Sequence, residues 1–211
     1  MNSTITIEYF GHSCFRVTCA EYSVMLDPYH DDSVPGLKLP EHLTANKVLI
    51  SHGHEDHNAA ENIDVVHTSA RDPFLISAIT VPHDNCGGQK RGMVRMHILE
   101  AEGMKVVHFG DLGRMLNTDE MQRLHHADCI MIPCGGFFTI DAVQAKTIIE
   151  KLEPRVAILM HYRTPVSGYS LLEDLDSIRK TLPETEVLDS TSLELSGQES
   201  GTRIVALKAV Q

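Results

Sequence analysis

An α/β fold, with sheets packed on one another and helices outside them, is what this sequence predicts, and three observations predict it. The first part of the chain reads as short strands in succession. From residue 118 onward, strand-like runs alternate with helical ones, the order expected when helices cover sheets. Third, five apolar runs end directly on a potential metal ligand, at Asp27, His52, His83, Asp111 and His161. Strand ends on one edge of a sheet are where α/β folds commonly place their chemistry.

Composition narrows the classes. Of 211 residues, 42% are apolar and 22% charged, which supplies a sizeable core and argues against disorder. The length suits one domain over residues 1–211, with no linker, repeat or low-complexity run to divide it. A formal net charge of −11 opposes broad adhesion to nucleic acid or anionic lipid, so neither an extended nucleic acid nor a membrane is an expected partner. A metal-lined pocket would still accept a small anion, because the ions reverse the local field. The start, from Met1 to Glu8, lacks a basic region followed by an apolar core, and no apolar run has the length to span a bilayer. Five cysteines without a CxxC pair read as reduced, mostly buried thiols of a cytoplasmic protein.

In chain order, residues 5–9, 14–17 and 23–26 read as three strands broken at Gly11-His12 and Ala20-Glu21. Asp27-Pro28 ends the third, since proline cannot donate to a ladder. Residues 28–46, with three prolines and Gly36, read as a loop long enough to wall a pocket. Lys47 to Ser51 reads as a buried strand, and His57 to Asn62 as the opening of a helix. Residues 65–67 and 76–81 are further strands, the second ending at the glycine-rich loop Pro82 to Gly88. Residues 93–99 and 105–109 pair around the turn Glu102-Gly103. A helix starts at Thr118-Asp119-Glu120 and runs to about His126. After the strand 129–132, Asp141 caps an amphipathic helix through Lys151, with Val143, Ile148, Ile149 and Leu152 as its apolar positions. A buried strand 156–160, a helix at about 170–181 and strands 193–195 and 204–207 complete the chain, the last two joined by a turn at Gly197 to Gly201.

The stretch that carries the chemistry is Ser51-His52-Gly53-His54-Glu55-Asp56-His57-Asn58. Neutral imidazoles and a carboxylate suit zinc or a similar divalent ion. In an extended segment His52 and His54 share a face and can bind one ion together. If the chain then turns into a helix, Asp56 and His57 aim elsewhere, toward a neighbouring ion. One short turn would thus serve two adjacent metals.

This sequence resembles the metallo-β-lactamase superfamily, and within it the compact hydrolase branch of ascorbate-6-phosphate lactonase-like proteins. The resemblance rests on Gly11-His12-Ser13, Leu26-Asp27-Pro28, the HxHxDH cluster of residues 52–57, and Val81-Pro82-His83-Asp84. Gly110-Asp111-Leu112-Gly113, Ile132-Pro133-Cys134-Gly135-Gly136 and Met160-His161-Tyr162 complete it, so it covers residues 11–162. It implies a four-layer αβ/βα sandwich of two mixed sheets flanked by helices. It also implies that His52, His54 and His83 hold one ion, that Asp56, His57 and His161 hold the second, and that Asp111 bridges them. Asp27 would support the ligands from behind. The cofactors implied are two divalent metal ions, zinc first, with manganese or iron(II) tolerated by such a donor set.

Other candidates carry two readings each. His12 is a catalytic candidate, as a substrate contact or a donor behind the ligands, or else a buried strand-end histidine. Asp84 would orient the ligand before it or cap its own loop. Tyr162 and Arg163 would touch an anionic oxygen, although ordinary loop packing suits them slightly better. His108 reads as core. Two ions roughly 3.5–4 Å apart can share a water and lower its pKa, giving a hydroxide that attacks a carbonyl or phosphorus centre. Asp56 would also guide the proton of that water. The function expected is hydrolysis of a small lactone, ester or phosphodiester. The alternatives are a small nuclease or cyclic-nucleotide phosphodiesterase, and a metal-dependent sensor or binding protein without turnover. The partner expected is a small-molecule substrate; a homo-oligomer is left open.

Overall fold

The computed structural model describes residues 4–210; Met1–Ser3, at the start of the stretch without a leader-like pattern, and Gln211 lie outside them. The first strands are β1 (Ile5–Gly11), β2 (Cys14–Cys19) and β3 (Tyr22–Leu26), followed by β4 (Thr44–Ala45), β5 (Lys47–Leu49) and β6 (Asp64–Val65). Next come β7 (Leu75–Pro82), β8 (Met93–Ala101), β9 (Met104–His108), helix α1 (Thr118–Leu124) and β10 (Cys129–Pro133). The remainder is α2 (Ala142–Leu152), β11 (Val156–Met160), α3 (Leu175–Thr181), β12 (Glu186–Val187), β13 (Ser192–Leu195) and β14 (Arg203–Ala206).

Two mixed sheets result, beside a two-stranded parallel piece made of β4 and β6. One has five strands in the order β13-β1-β2-β3-β5, and the other has seven in the order β12-β14-β11-β10-β9-β8-β7. Alternation along each strand sorts side chains between faces. Ile5, Ile7, Phe15, Val17, Val24 and Leu26 of the smaller sheet enter the main core, where they meet Met96, Val106, Ile130 and Ile158 of the larger one. Phe10, Cys14 and Met25 point the other way, into a second core closed by Tyr29, Val34, Leu39, Leu43 and Ile63. The outer layer of the smaller sheet is therefore the segment 29–45 together with Ile63. On the larger sheet, β10 and β11 are buried at every residue, as befits parallel strands covered on both faces. Helix α2 packs into the main core through Ala142, Ala145, Ile148, Ile149 and Leu152. Asn117, Asp141 and Asp174 cap the three helices, each side chain accepting a backbone N–H of the first turn.

Several expectations need correction. No helix opens at His57: Ala59 N–H donates to Pro28 O (2.9 Å), which ties the chain to a loop, and only a 3-10 turn at Ala60–Asn62 forms. β5 is three residues long and only half-buried, because it is the edge strand of its sheet. Val143 is exposed, and Ala142 and Ala145 take its place on the buried face of α2. The last helix begins at Leu175, after its Asp174 cap. β13 and β14 do not form a hairpin. β13 pairs antiparallel with β1, whereas β14 pairs parallel with β11, so residues 196–202 pass from one sheet to the other.

Strand direction explains why ligand-type residues cluster. β1 and β3 are both antiparallel to β2, and β5 is parallel to β3, so the C-terminal ends of β1, β3 and β5 share one edge. In the larger sheet β9, β10 and β11 are parallel, and β7 runs with β9 because both oppose β8. The ends of β7, β9 and β11 therefore share an edge too. Hydrogen bonds join the two edges: His161 N–H to His12 O (2.8 Å), Arg95 N–H to Ser51 O (3.0 Å) and His108 Nε2 to Ser13 O (2.9 Å).

Close backbone approach locks the loops at this edge. A Cβ on Gly113 would lie 2.1 Å from Asp84 N and 2.2 Å from the His83 carbonyl carbon, contacts that backbone atoms cannot relieve cheaply. Gly113→Ala is expected to destabilise the protein by about 1–3 kcal/mol through overpacking. A thermal melt reads this, and an unchanged Tm would contradict the proposed contact.

Candidate metal centre

The candidate donors sit just past these strand ends. His12 follows β1, Asp27 follows β3, His52 to His57 follow β5, His83 follows β7, Asp111 follows β9 and His161 follows β11. His12, Asp27 and His161 adopt φ of 54°, 46° and 56°, a left-handed conformation that non-glycine residues rarely hold. Three such residues at adjoining strand ends are the kind of stored strain that clusters at functional sites.

The donors form two groups at the cavity, and Asp27 gathers His52 and His57 in a third behind them. His52, His54 and His83 converge in one; His12, Asp56, His57 and His161 converge in the other, with ligand atoms within 4.8 Å of one another in each group. Between them stands Asp111, whose Oδ2 lies 3.2 Å from His57 Nε2, 3.2 Å from His161 Nε2 and 3.4 Å from His83 Nε2. The bend at Ser51–His57, rather than an extended strand, brings His52 Nε2 to 2.9 Å from His54 Nδ1. All seven residues expected to hold metal are thus brought together.

Asp27 organises the group from behind. Its carboxylate, fully buried, accepts Ser51 N–H (2.7 Å), the Ser51 hydroxyl (2.5 Å) and His57 Nδ1–H (2.9 Å). The Ser51 hydroxyl, its single proton given to Asp27, accepts from His52 Nδ1 at 2.9 Å. Both imidazoles are thereby fixed in the tautomer that turns the Nε2 lone pair toward the cavity, the usual way an outer carboxylate orients metal-binding histidines. Burial alone would raise the Asp27 pKa, but the His57 hydrogen bond and neighbouring imidazoles outweigh it and hold the acid at about 2.

These residues fit a divalent cation. Burial lowers His52 to about 3 and both His12 and His83 to about 4, so these rings are neutral and offer lone pairs at pH 7. Asp111 is held well below the usual carboxylate range, because His161 and His57 outweigh the opposing effect of burial. His57 Nε2 and Asp111 Oδ1 are buried without a hydrogen-bond partner. A lone pair facing a carboxylate at 3.2 Å is repulsive unless a proton or a metal ion lies between them.

The remaining candidates fall elsewhere. His12 donates from Nε2 to Asp56 Oδ2 (3.2 Å) and lies tilted against His161, with centroids 4.1 Å apart and 41° between the ring planes. It stands behind Asp56 and lines the neighbouring apolar cavity, the arrangement of a donor behind the ligands. Asp84 does not orient His83. Its carboxylate accepts the backbone N–H groups of Cys86, Gly88, Lys90 and Arg91 at 2.8–2.9 Å, which makes it the clamp of its own loop. Tyr162 is buried away from the centre, and Arg163 pairs with Asp174 (2.8 Å), the packing roles. His108 is core, bonded to Ser13 O.

A cavity of about 270 Å³ opens onto the donors, lined by His54, Asp56, His83, Arg91, Asp111, Phe138, His161 and Tyr169. Three of these were not singled out from the sequence. Tyr169 reaches Asp56 Oδ2 (3.2 Å) and donates to Ser33 O (2.6 Å), a link over 113 positions that no local pattern announces. The 28–46 loop does not wall this cavity, but backs Tyr169 through Ser33 and lines a separate apolar cavity of about 650 Å³.

Divalent-ion binding is expected to release protons and to weaken as pH falls. Burial disfavours charge on His57, but Asp111 and Asp27 more than offset this and raise its pKa. Below that raised pKa an incoming ion must displace a proton, so apparent affinity drops with acid. Calorimetric titration of zinc in two buffers of different protonation enthalpy counts the protons; a count of zero would contradict it.

Comparison with known proteins agrees with this architecture. A profile of the Beta-lactamase superfamily domain matches residues 6–161. The chain is 24% identical over 222 residues to the UPF0173 metal-dependent hydrolase of Natranaerobius thermophilus, covering 90% of this chain and 99% of that relative. A solved protein of the metallo-beta-lactamase superfamily from Thermotoga maritima, proposed to be a Zn-dependent hydrolase, matches with a TM-score of 0.74 at 27% identity, over 96% of this chain and 98% of that one. Igni18, a metallo hydrolase from Ignicoccus hospitalis, shares the fold with a TM-score of 0.66 at 19% identity, over 99% and 97% of the two chains. Two mixed sheets meeting at a histidine–aspartate edge, and a domain profile spanning that edge from β1 to His161, make the chain a member of the metallo-β-lactamase superfamily.

Proposed function

We propose that this protein is a metal-dependent hydrolase that uses two divalent ions, zinc by preference, to cleave a small lactone, ester or phosphodiester. The observation that carries this reading is Asp111 Oδ2 standing within 3.4 Å of imidazole nitrogens from both donor groups, so that this carboxylate would serve the ions held by each. Such a pair, when bound, supplies an acidified water and polarises the substrate oxygen.

The chain's own residues supply the rest. His52, His54 and His83 would hold one ion, and Asp56, His57 and His161 the other, with His12 Nε2 close enough to steady Asp56 or to join the set. Asp27 keeps His52 and His57 in one tautomer. Asp56 is held ionised: burial opposes this, but the His12 hydrogen bond and His57 outweigh it, which suits it to hold a cation and to guide the attacking water by accepting its hydrogen bond. His54 is the exposed member of the set, so substrate enters from its side. A cavity of about 270 Å³ suits a small molecule better than an extended strand of nucleic acid, and the net charge of −11 argues the same way. The Thermotoga maritima relative, proposed to depend on zinc, supports the choice of metal.

Metal-stripped protein reloaded with zinc or manganese is expected to bind about two ions per chain and to hydrolyse at least one member of a lactone, ester and phosphodiester panel. Asp111→Asn and His54→Ala should each lower the rate by more than about 100-fold, and Asp27→Asn by about 10–100-fold, the usual cost of losing an outer carboxylate. Full rates in Asp111→Asn and His54→Ala with metal content intact would refute the reading.

A further inference from the structure

One cavity residue has chemistry that hydrolysis by the two metal groups does not use. Arg91 is the permanent cation among the described residues lining the 270 Å³ cavity. Elsewhere Arg16, Arg114, Arg155, Arg163 and Arg203 each pair with a carboxylate. Arg91 makes no such pair among the described residues; its guanidinium lies 5.5 Å from the centroid of the Phe138 ring, another cavity wall. A guanidinium stacked on an aromatic face keeps its N–H edge free for a planar, two-point contact with an oxyanion.

Its placement is fixed by the backbone. Asp84, directly after His83, accepts Arg91 N–H at 2.9 Å and three further amides of the same loop. The loop closes through Gly92 N–H to Gly88 O and His83 N–H to Gly92 O, both 3.0 Å. Arg91 is therefore held in register with His83, and Phe138 sits with its centroid 6.5 Å from the His161 ring. The cation and the donor groups share one small chamber, and neither Asp56 nor Asp111, which also line it, forms an ion pair with the cation.

We propose that Arg91 selects substrates bearing an oxyanion, a carboxylate or a phosphate monoester, set apart from the bond that is cleaved, with Phe138 flanking the substrate body. This rests on the hydrolase reading for its meaning, but its binding component stands apart from turnover.

The test uses metal-loaded protein and ligands sharing one phenyl body: 4-phenylbutanoate, 3-phenylpropylphosphonate and the neutral 4-phenylbutanamide. The wild type should bind at least one anion about tenfold or more tightly than the amide, and the tighter of the two identifies the anion class. R91Q should collapse that ratio, and R91K should restore part of it. The side chain takes no part in the loop hydrogen bonds, so metal content and Tm of R91Q report whether the fold is intact. An anion preference that survives R91Q places the anion on the metal ions and overturns the proposal, as does a wild type without preference. Hydrolysis of the mono-4-nitrophenyl ester of glutaric acid beside 4-nitrophenyl butyrate is measured separately. Failure of both esters counts against the hydrolase reading, while the binding ratios still decide the role of Arg91.

Discussion

A single buried carboxylate, that of Asp27, is the constraint on which the site depends. An ionised acid with no access to solvent is costly unless every lone pair is matched. Here the Ser51 amide, the Ser51 hydroxyl and the His57 ring supply three donors. Those contacts do more than offset burial. They fasten the end of β3 to the bend after β5, and they set the proton positions of two histidines that belong to different donor groups. The strained φ of Asp27 is held in place by the same contacts.

Around this anchor the sandwich brings its strand ends together. Parallel relations within each sheet send β1, β3 and β5 to one edge and β7, β9 and β11 to another, and hydrogen bonds between the edges hold them in register. Donors on different strands, up to His161, then need no long loop to meet. The packing leaves little slack: Gly110, Gly113 and Gly135 stand where a Cβ would meet Ser51, the His83-Asp84 backbone or the His161 carbonyl. Precision at the site is thus a property of the core and its edge, with the loops adding selectivity.

That division of labour is visible in the cavity. The donor face comes from strand ends, whereas Arg91, Phe138 and Tyr169 come from three separate loops. Tyr169 couples the outer layer to the centre, donating its one hydroxyl proton to Ser33 O while its oxygen stands 3.2 Å from Asp56 Oδ2. Asp84, adjacent to a candidate ligand, serves the loop and not the ligand, so the same segment that presents His83 also aims a cation at the chamber.

By itself the sequence determined packed sheets with helices outside, through apolar alternation and the helix starts at Asp141 and near Thr118, whereas the two mixed sheets were implied by the family resemblance. Asp27, His52, His83, Asp111 and His161 stood out because each follows an apolar run, and the family resemblance implied the ligand set that joins the last four to His54, Asp56 and His57. Only the tertiary structure decided that His57 begins no helix, that β13 and β14 belong to different sheets, and that His12 backs Asp56. It alone placed Tyr169 and Arg91 in the cavity and made Asp84 a loop clamp. The physical reason is one of range. Periodicity and capping act over neighbouring residues, so they can be read locally, whereas pairing partners and hydrogen bonds between loops depend on which distant backbone groups the packed sheets leave unsatisfied.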